Sequence, residues 1–149
     1  MSEAKTSDRE LRVERLIAAA PERVFQYFTD PKLFATWWGP EGMTATAHVL
    51  DARVGGAWRT TMRSAAGKSM TVGGIYRVVE APRRLVFTWA WEDEKGAGGF
   101  ETEVTVTFAA APGGTKLTIL QREFETVESR DRHGRGWNST LDKLNRTLA

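Results

Sequence analysis

The chain contains no cysteine, which excludes disulfides, thiolate metal sites, thiol nucleophiles and dithiol redox motifs together. Histidine is nearly as scarce, with His48 and His133 the only two. They stand far apart and have no acid at ligand spacing, so neither a metal site nor a cofactor is expected. Long apolar runs are missing as well. The longest, Leu16 to Ala20, ends at Pro21 and falls far short of the roughly 20 residues a membrane helix needs. The first residues, Met1 to Glu10, are polar and carry no secretory signal. A soluble, cytoplasmic protein is expected, without membrane insertion. No Gly-x-Ser-x-Gly elbow, phosphate-cradling glycine loop or His-Glu-x-x-His occurs, so no catalytic constellation is recognisable.

Charge of one sign is also lacking. The 21 basic residues exceed the 19 acidic ones by only 2, and no run of Lys or Arg covers a face. The densest stretch, Arg130 to Arg135, is interrupted by Asp131 and Gly134. It reads as a solvated loop or helix entry, with His133 a solvated residue, and no nucleic-acid partner is expected.

What is present suits one ordinary core. A chain of 149 residues with 41% hydrophobic and 27% charged residues buries about 68–70% of its unfolded surface and needs no staple. Residues 1–9 read as a disordered tail and residues 10–149 as a single domain. Leu11, Val13, Arg15 and Ile17 alternate as one side of a strand. Pro21 opens a helix with Val24, Phe25 and Phe28 on its apolar face, and Asp30-Pro31 ends it and starts a second one through Trp37 and Trp38. Six strands follow, punctuated by Gly55-Gly56, Ala66-Gly67-Lys68, Ala81 to Arg84, Glu92 to Gly99 and Pro112-Gly113-Gly114. Gly73-Gly74 inside one of them predicts a bulge or bend that curls the sheet.

The last segment returns to helical period. Trp137, Leu141, Leu144 and Leu148 form one stripe, with Asp142, Lys143 and Arg146 away from it. The helix is expected to start near Ser129 to Gly136, but Gly134 and Gly136 weaken its first turns, so firm helix is expected only from about Trp137. Hairpin-linked strands with helices at two places give an α+β fold. It consists of a curved antiparallel sheet wrapped around a long C-terminal helix, with two short helices after the first strand. Volume left between such a helix and sheet is where a small ligand would bind.

Six tryptophans are many for this length. One reading makes them core filler; the other lines a pocket with Trp37, Trp58, Trp89, Trp91 and Trp137, whose indoles stack on an apolar ligand. If Leu85, Phe87, Trp89 and Trp91 face inward, alternation nominates Trp58, Thr60 and Met62 beside them. It leaves pairs open at Tyr76 or Arg77, Glu103 or Thr102, and Gln121 or Arg122. Glu103 reads either as a buried general base or as an exposed strand residue opposite a cation. Leu141 completes the set from the helix.

Several strings carry a family resemblance. They are Ala20-Pro21-Glu22-Arg23-Val24-Phe25, Asp30-Pro31-Lys32-Leu33, Trp37-Trp38-Gly39-Pro40 and Gly55-Gly56-Ala57-Trp58-Arg59. They continue with Gly74, Leu85-Val86-Phe87-Thr88-Trp89, Val104 to Phe108, Gly114 to Thr118 and Gly136-Trp137. Together they cover about residues 10 to 149 and resemble the family of activators of the heat-shock protein 90 ATPase. That family sits within the START and birch-pollen-allergen-like superfamily. The resemblance implies the helix-grip fold. It also implies three functional readings, in this order. The first is binding of a small hydrophobic or aromatic molecule for carriage, sensing or sequestration, in a stress-related setting. The second is a cyclase, isomerase or hydrolase using the same cavity, and the third is contact with a chaperone. A monomer or homodimer is compatible with each.

Overall fold

Alternating strand patterns and two proline-started helices account for most of the chain. The computed structural model describes residues 8–93, 96 and 98–148. The tail expected over residues 1–9 lies, apart from Asp8 and Arg9, outside the described residues.

Strand β1 (Leu11–Ile17) leads into helices α1 (Pro21–Thr29) and α2 (Pro31–Phe34). Six strands follow: β2 (Met43–Leu50), β3 (Ala57–Ser64), β4 (Ser69–Glu80), β5 (Arg84–Trp91), β6 (Thr102–Ala111) and β7 (Gly114–Arg122). Helix α3 (Val127–Leu148) closes the chain. All strands join one antiparallel sheet of 7 in the order β1-β7-β6-β5-β4-β3-β2. The sheet curls around α3, which is the helix-grip arrangement.

Local chemistry explains the early helices. Pro21 and Pro31 each occupy a first helical turn, where the missing N–H costs nothing. The Asp30 carboxylate accepts from the Lys32 and Leu33 N–H groups, ending α1 and capping α2 at once. Helix α2 is shorter than its apolar spacing suggests. Trp37 and Trp38 lie in the turn after it, which closes at Gly39 with φ +93°.

Two features of β4 bend the sheet. The glycine pair permits close backbone approach: a Cβ on Gly74 would sit 2.0 Å from the Thr88 carbonyl oxygen, and one on Gly73 would sit 2.4 Å from that of Trp58. The Thr88 hydroxyl also accepts from the Ile75 N–H at 2.9 Å, replacing a ladder bond there. The register shift itself comes later, between Tyr76 and Val78. One extra residue reverses the inward side, so Tyr76 before it and Val79 after it both meet the core.

Helix α3 starts earlier than its glycines suggest. The Thr126 hydroxyl accepts from the Ser129 N–H at 3.0 Å and caps the first turn. Gly134 is buried beside Leu11, where a Cβ would come within 3.2 Å of the Leu11 side chain. The glycine that weakens the helix therefore lets it approach β1 closely. Trp137, Leu141, Leu144 and Leu148 are all buried, as the stripe predicts. Asn145 locks the far end by donating to the Leu16 carbonyl at 3.0 Å and accepting from the Ala18 N–H at 3.2 Å. Lys143 is half-buried rather than simply solvated, and donates to the Met43 carbonyl at 3.0 Å. Desolvation pulls its pKa down, and neighbouring Glu41 opposes that. On the same side the Ser139 hydroxyl accepts from the Glu41 N–H at 2.8 Å. These contacts tie the Trp38–Met43 segment to α3.

Candidate functional site: an aromatic cavity under the C-terminal helix

All six tryptophans join one continuous cluster of rings. Trp38 is its hub, with ring centroids 5.4 Å from Trp137, 5.7 Å from Trp89 and 6.3 Å from Trp58. Trp37 and Trp91 attach at 5.5 Å and 5.6 Å, to Trp38 and Trp89 respectively. Most of these pairs are edge-to-face or tilted, the geometry that indole quadrupoles favour. The cluster is core on one side and cavity wall on the other.

The cavity has a volume of about 410 Å³, within the roughly 300–1,000 Å³ typical of small-molecule sites. Its floor comes from β3, β4 and β5 through Met62, Met70, Trp89 and Trp91. The turn after α2 supplies Trp38, Gly39 and Pro40, and α3 supplies residues from Ser129 to Thr140. A separate cleft of about 460 Å³ lies near Arg9, Glu10 and Phe100. Its walls are largely charged and exposed, so it lacks the apolar concave surface of the first.

The structure brings Met62, Trp89, Trp91 and Trp137 together in this wall. It places the other nominated residues elsewhere. Trp37 is fully buried behind Trp38 and donates to the Tyr27 carbonyl at 2.9 Å. Trp58 donates to the Thr88 carbonyl at 2.9 Å, and with Tyr76 and Phe87 it borders only a small void of about 10 Å³. A void that size matches about one water molecule. Burial pushes the Tyr76 phenol's pKa up, with Asp51 adding to the effect. Leu141 lies in the core and Thr60 is fully buried.

The paired alternatives resolve by register. Tyr76, Thr102 and Gln121 point inward, while Arg77, Glu103 and Arg122 point outward. Glu103 pairs with Arg122 at 2.8 Å on the convex face, so it is no buried base. Gln121 is fully buried and does not reach the cavity. Its amide oxygen accepts from the Trp137 indole at 2.8 Å, and its amide nitrogen donates to the Thr102 hydroxyl at 2.9 Å. This chain fixes the Trp137 ring in place.

Sequence reasoning missed the most informative polar group. His133 is half-buried against the cavity, with ring centroids 4.9 Å from Phe124 and 5.9 Å from Trp89. Its Nδ1 lies 2.7 Å from the Ser129 carbonyl, and its Nε2 accepts from the Trp91 indole N–H at 2.9 Å. A carbonyl can only accept and an indole N–H can only donate. The pair therefore fixes the neutral Nδ1–H tautomer. Desolvation lowers the His133 pKa, the Ser129 hydrogen bond opposes it, and the nearby Arg132 charge lowers it further. The available signal was the early start of α3: once residues from Val127 are helical, Ser129, Arg132, His133 and Gly136 share a face with Trp137 and Thr140. Trp38 was missed because it lies in the turn after α2, where helical spacing does not say which of two adjacent indoles faces the cavity.

Three buried polar atoms, Trp38 Nε1, Trp89 Nε1 and Thr60 Oγ1, have no hydrogen-bond partner among the described residues. Both indoles pack edge-to-face or tilted against neighbouring rings. Among the described residues no group of three His, Cys, Asp or Glu is placed to hold a metal. No helix among them is long and apolar enough to cross a membrane.

Residues 18–149 match the sequence pattern of the family described as Activator of Hsp90 ATPase homolog 1-like protein. The chain belongs to that family. Among solved structures, the AHSA1 protein from Silicibacter pomeroyi is 36% identical, with 93% of this chain and 96% of that one covered at a TM-score of 0.86. A protein from Chromobacterium violaceum is 29% identical over 94% of this chain and 97% of its own, at a TM-score of 0.84. A protein from Arthrobacter aurescens keeps the fold at 23% identity and a TM-score of 0.86, covering 97% and 89% of the two chains. Among the curated proteins none matches. The Activator of Hsp90 ATPase homolog 1-like family thus accounts for nearly all of the chain, the cavity-forming turn and α3 included.

Proposed function

We propose that this family member binds a small hydrophobic or aromatic molecule in the cavity under α3, as a carrier, sensor or sequestering protein. The supporting observation is a volume of about 410 Å³ bounded by Trp38, Trp89, Trp91 and Trp137. Large rings normally interdigitate to fill such space. Here two rings of the wall are anchored by hydrogen bonds, Trp137 to Gln121 and Trp91 to His133. Met62 and Met70 give the floor an adaptable surface. Trp37, Trp58, Tyr76, Phe87 and Leu141 support the wall from behind, and Gln121 positions Trp137.

The geometry favours binding over acid–base catalysis. His133 is the imidazole beside the cavity, and its lone pair is engaged by Trp91. A general base needs that lone pair free to reach a substrate proton.

Intrinsic fluorescence tests the proposal, because the wall is made of the fluorophores. The purified protein is titrated with fatty acids, flavonoids and aromatic polyketide-like compounds. Saturable quenching that disappears in a folded Trp89→Leu variant is the expected result. A flat response across the panel would sink the reading. It would turn attention to the chaperone contact suggested by the family's description, tested by pull-down with that chaperone.

A further inference from the structure

Apart from Thr140, the cavity wall is apolar except at one end. Ser129, Arg132 and His133, from the first turns of α3, form its polar rim. His133 brings no charge there, because its two nitrogens are committed to the Ser129 carbonyl and the Trp91 indole. Arg132 does bring one. No residue of the wall is a carboxylate, and no carboxylate among the described residues forms an ion pair with Arg132.

Several other arginines are arranged differently. Arg130 is paired with Asp131 at 2.9 Å and also reaches the Asp8 carbonyl. Arg122 is paired with Glu103, and Arg59 with Glu92 at 2.6 Å. These arginines are paired within the fold, whereas Arg132, like the exposed Arg135, has no ion pair among the described residues, and of the two only Arg132 stands at the cavity rim. Resting on the binding reading above, we propose that the ligand is an amphipathic anion. Its apolar, ring-bearing body lies against the wall formed by Trp38, Trp89 and Trp137, and a carboxylate or similar group meets the Arg132 guanidinium at the rim.

The chemistry suits such a molecule. A guanidinium offers a planar fork of donors that matches a carboxylate. An apolar body gains from burial against the indoles, while its charged end remains near solvent and loses little hydration. Because Arg132 is exposed, its pairing is partly screened and contributes selectivity more than raw affinity.

The test compares naphthoate with naphthamide, two probes of one shape that differ in charge, by titration calorimetry. Naphthoate should bind about fivefold tighter than naphthamide, the size expected for a partly exposed charge pair. Added salt should shrink that ratio. Arg132→Gln should bring the ratio to about one, whereas Arg135→Gln, an exposed arginine outside the wall, should leave it unchanged. Equal binding of the two probes by the unaltered protein would overturn the anion inference and leave the cavity reading standing. So would a ratio that survives Arg132→Gln. Failure of both probes to bind would overturn the two together.

Discussion

The Trp91 indole donates its N–H to Nε2 of His133 at 2.9 Å, joining the end of β5 to the second turn of α3 across the cavity. Protonation of His133 would place a second hydrogen between two donors, so the contact exists only with neutral imidazole. The folded state thus binds that proton less readily than the unfolded chain, whose histidine titrates near the ordinary value of 6.5. The His133 contribution to stability is fully present above that value and declines as pH falls below it, because the unfolded state then takes up more protons. Urea midpoints measured from about pH 8 down to about pH 5.5 should show this slope. His133→Phe should flatten it, and an unchanged slope in that variant would show that other groups carry it.

Gly74 and Gly136 should respond oppositely to alanine. At Gly74 a methyl would overlap the Thr88 carbonyl, whose position is also fixed by the Trp58 indole. Gly74→Ala should cost about 3 kcal/mol or more. At Gly136, inside α3, a Cβ meets nothing within 4 Å. Gly136→Ala should stabilise by about 0.5–1 kcal/mol through helix propensity. Denaturant unfolding of the two variants side by side checks both signs.

A larger side chain at Gly136 should separate stability from binding. This position borders the cavity, so Gly136→Leu would occupy the space a ligand needs. The variant should unfold at a urea concentration no lower than the unaltered protein. The fluorescence response to any ligand of the cavity should be lost. Retained quenching would place the ligand elsewhere.

The hydrogen bond between Gln121 and Trp137 should show strong coupling. Gln121→Leu leaves a buried indole N–H without its acceptor and should cost about 1–3 kcal/mol. Trp137→Phe leaves the Gln121 oxygen orphaned, with a similar penalty plus lost packing. The double variant removes both partners, so its cost should fall below the sum of the two singles. Strict additivity in chemical denaturation would mean the bond contributes nothing specific.

Removing the helix cap should reveal how far α3 depends on local signals. Thr126→Ala deletes the acceptor for the Ser129 N–H and should cost about 1 kcal/mol. Amide exchange should quicken in the first turn, where Ser129 lines the cavity, while the turns around Leu141 and Leu144 stay protected. Uniform loss along the helix would contradict this.

Much of the architecture was legible because it rests on short-range periodicity. The Trp137–Leu148 stripe, the Pro21 and Pro31 starts and the alternation in β3 and β5 all follow from side-chain direction along a helix or strand. The candidate site was legible in part. Met62, Trp89, Trp91 and Trp137 were nominated by alternation and helical spacing. Trp38 was passed over for Trp37, because the turn after α2 decides which of two adjacent indoles turns outward to the cavity. His133 and Arg132 looked solvated because the glycines around them obscured the start of α3.

By itself, then, the sequence determined the order of elements, the antiparallel sheet with its C-terminal helix, and the supply of rings available to fill the space between them. Those properties depend on residues close together along the chain. Tertiary structure alone decided the register at Arg77, the choice of Thr102 over Glu103, and the meeting of Trp91 with His133. Each depends on a partner far away in sequence. A shift of one residue in a strand, or of one turn in a helix, sends the same side chain to the opposite face.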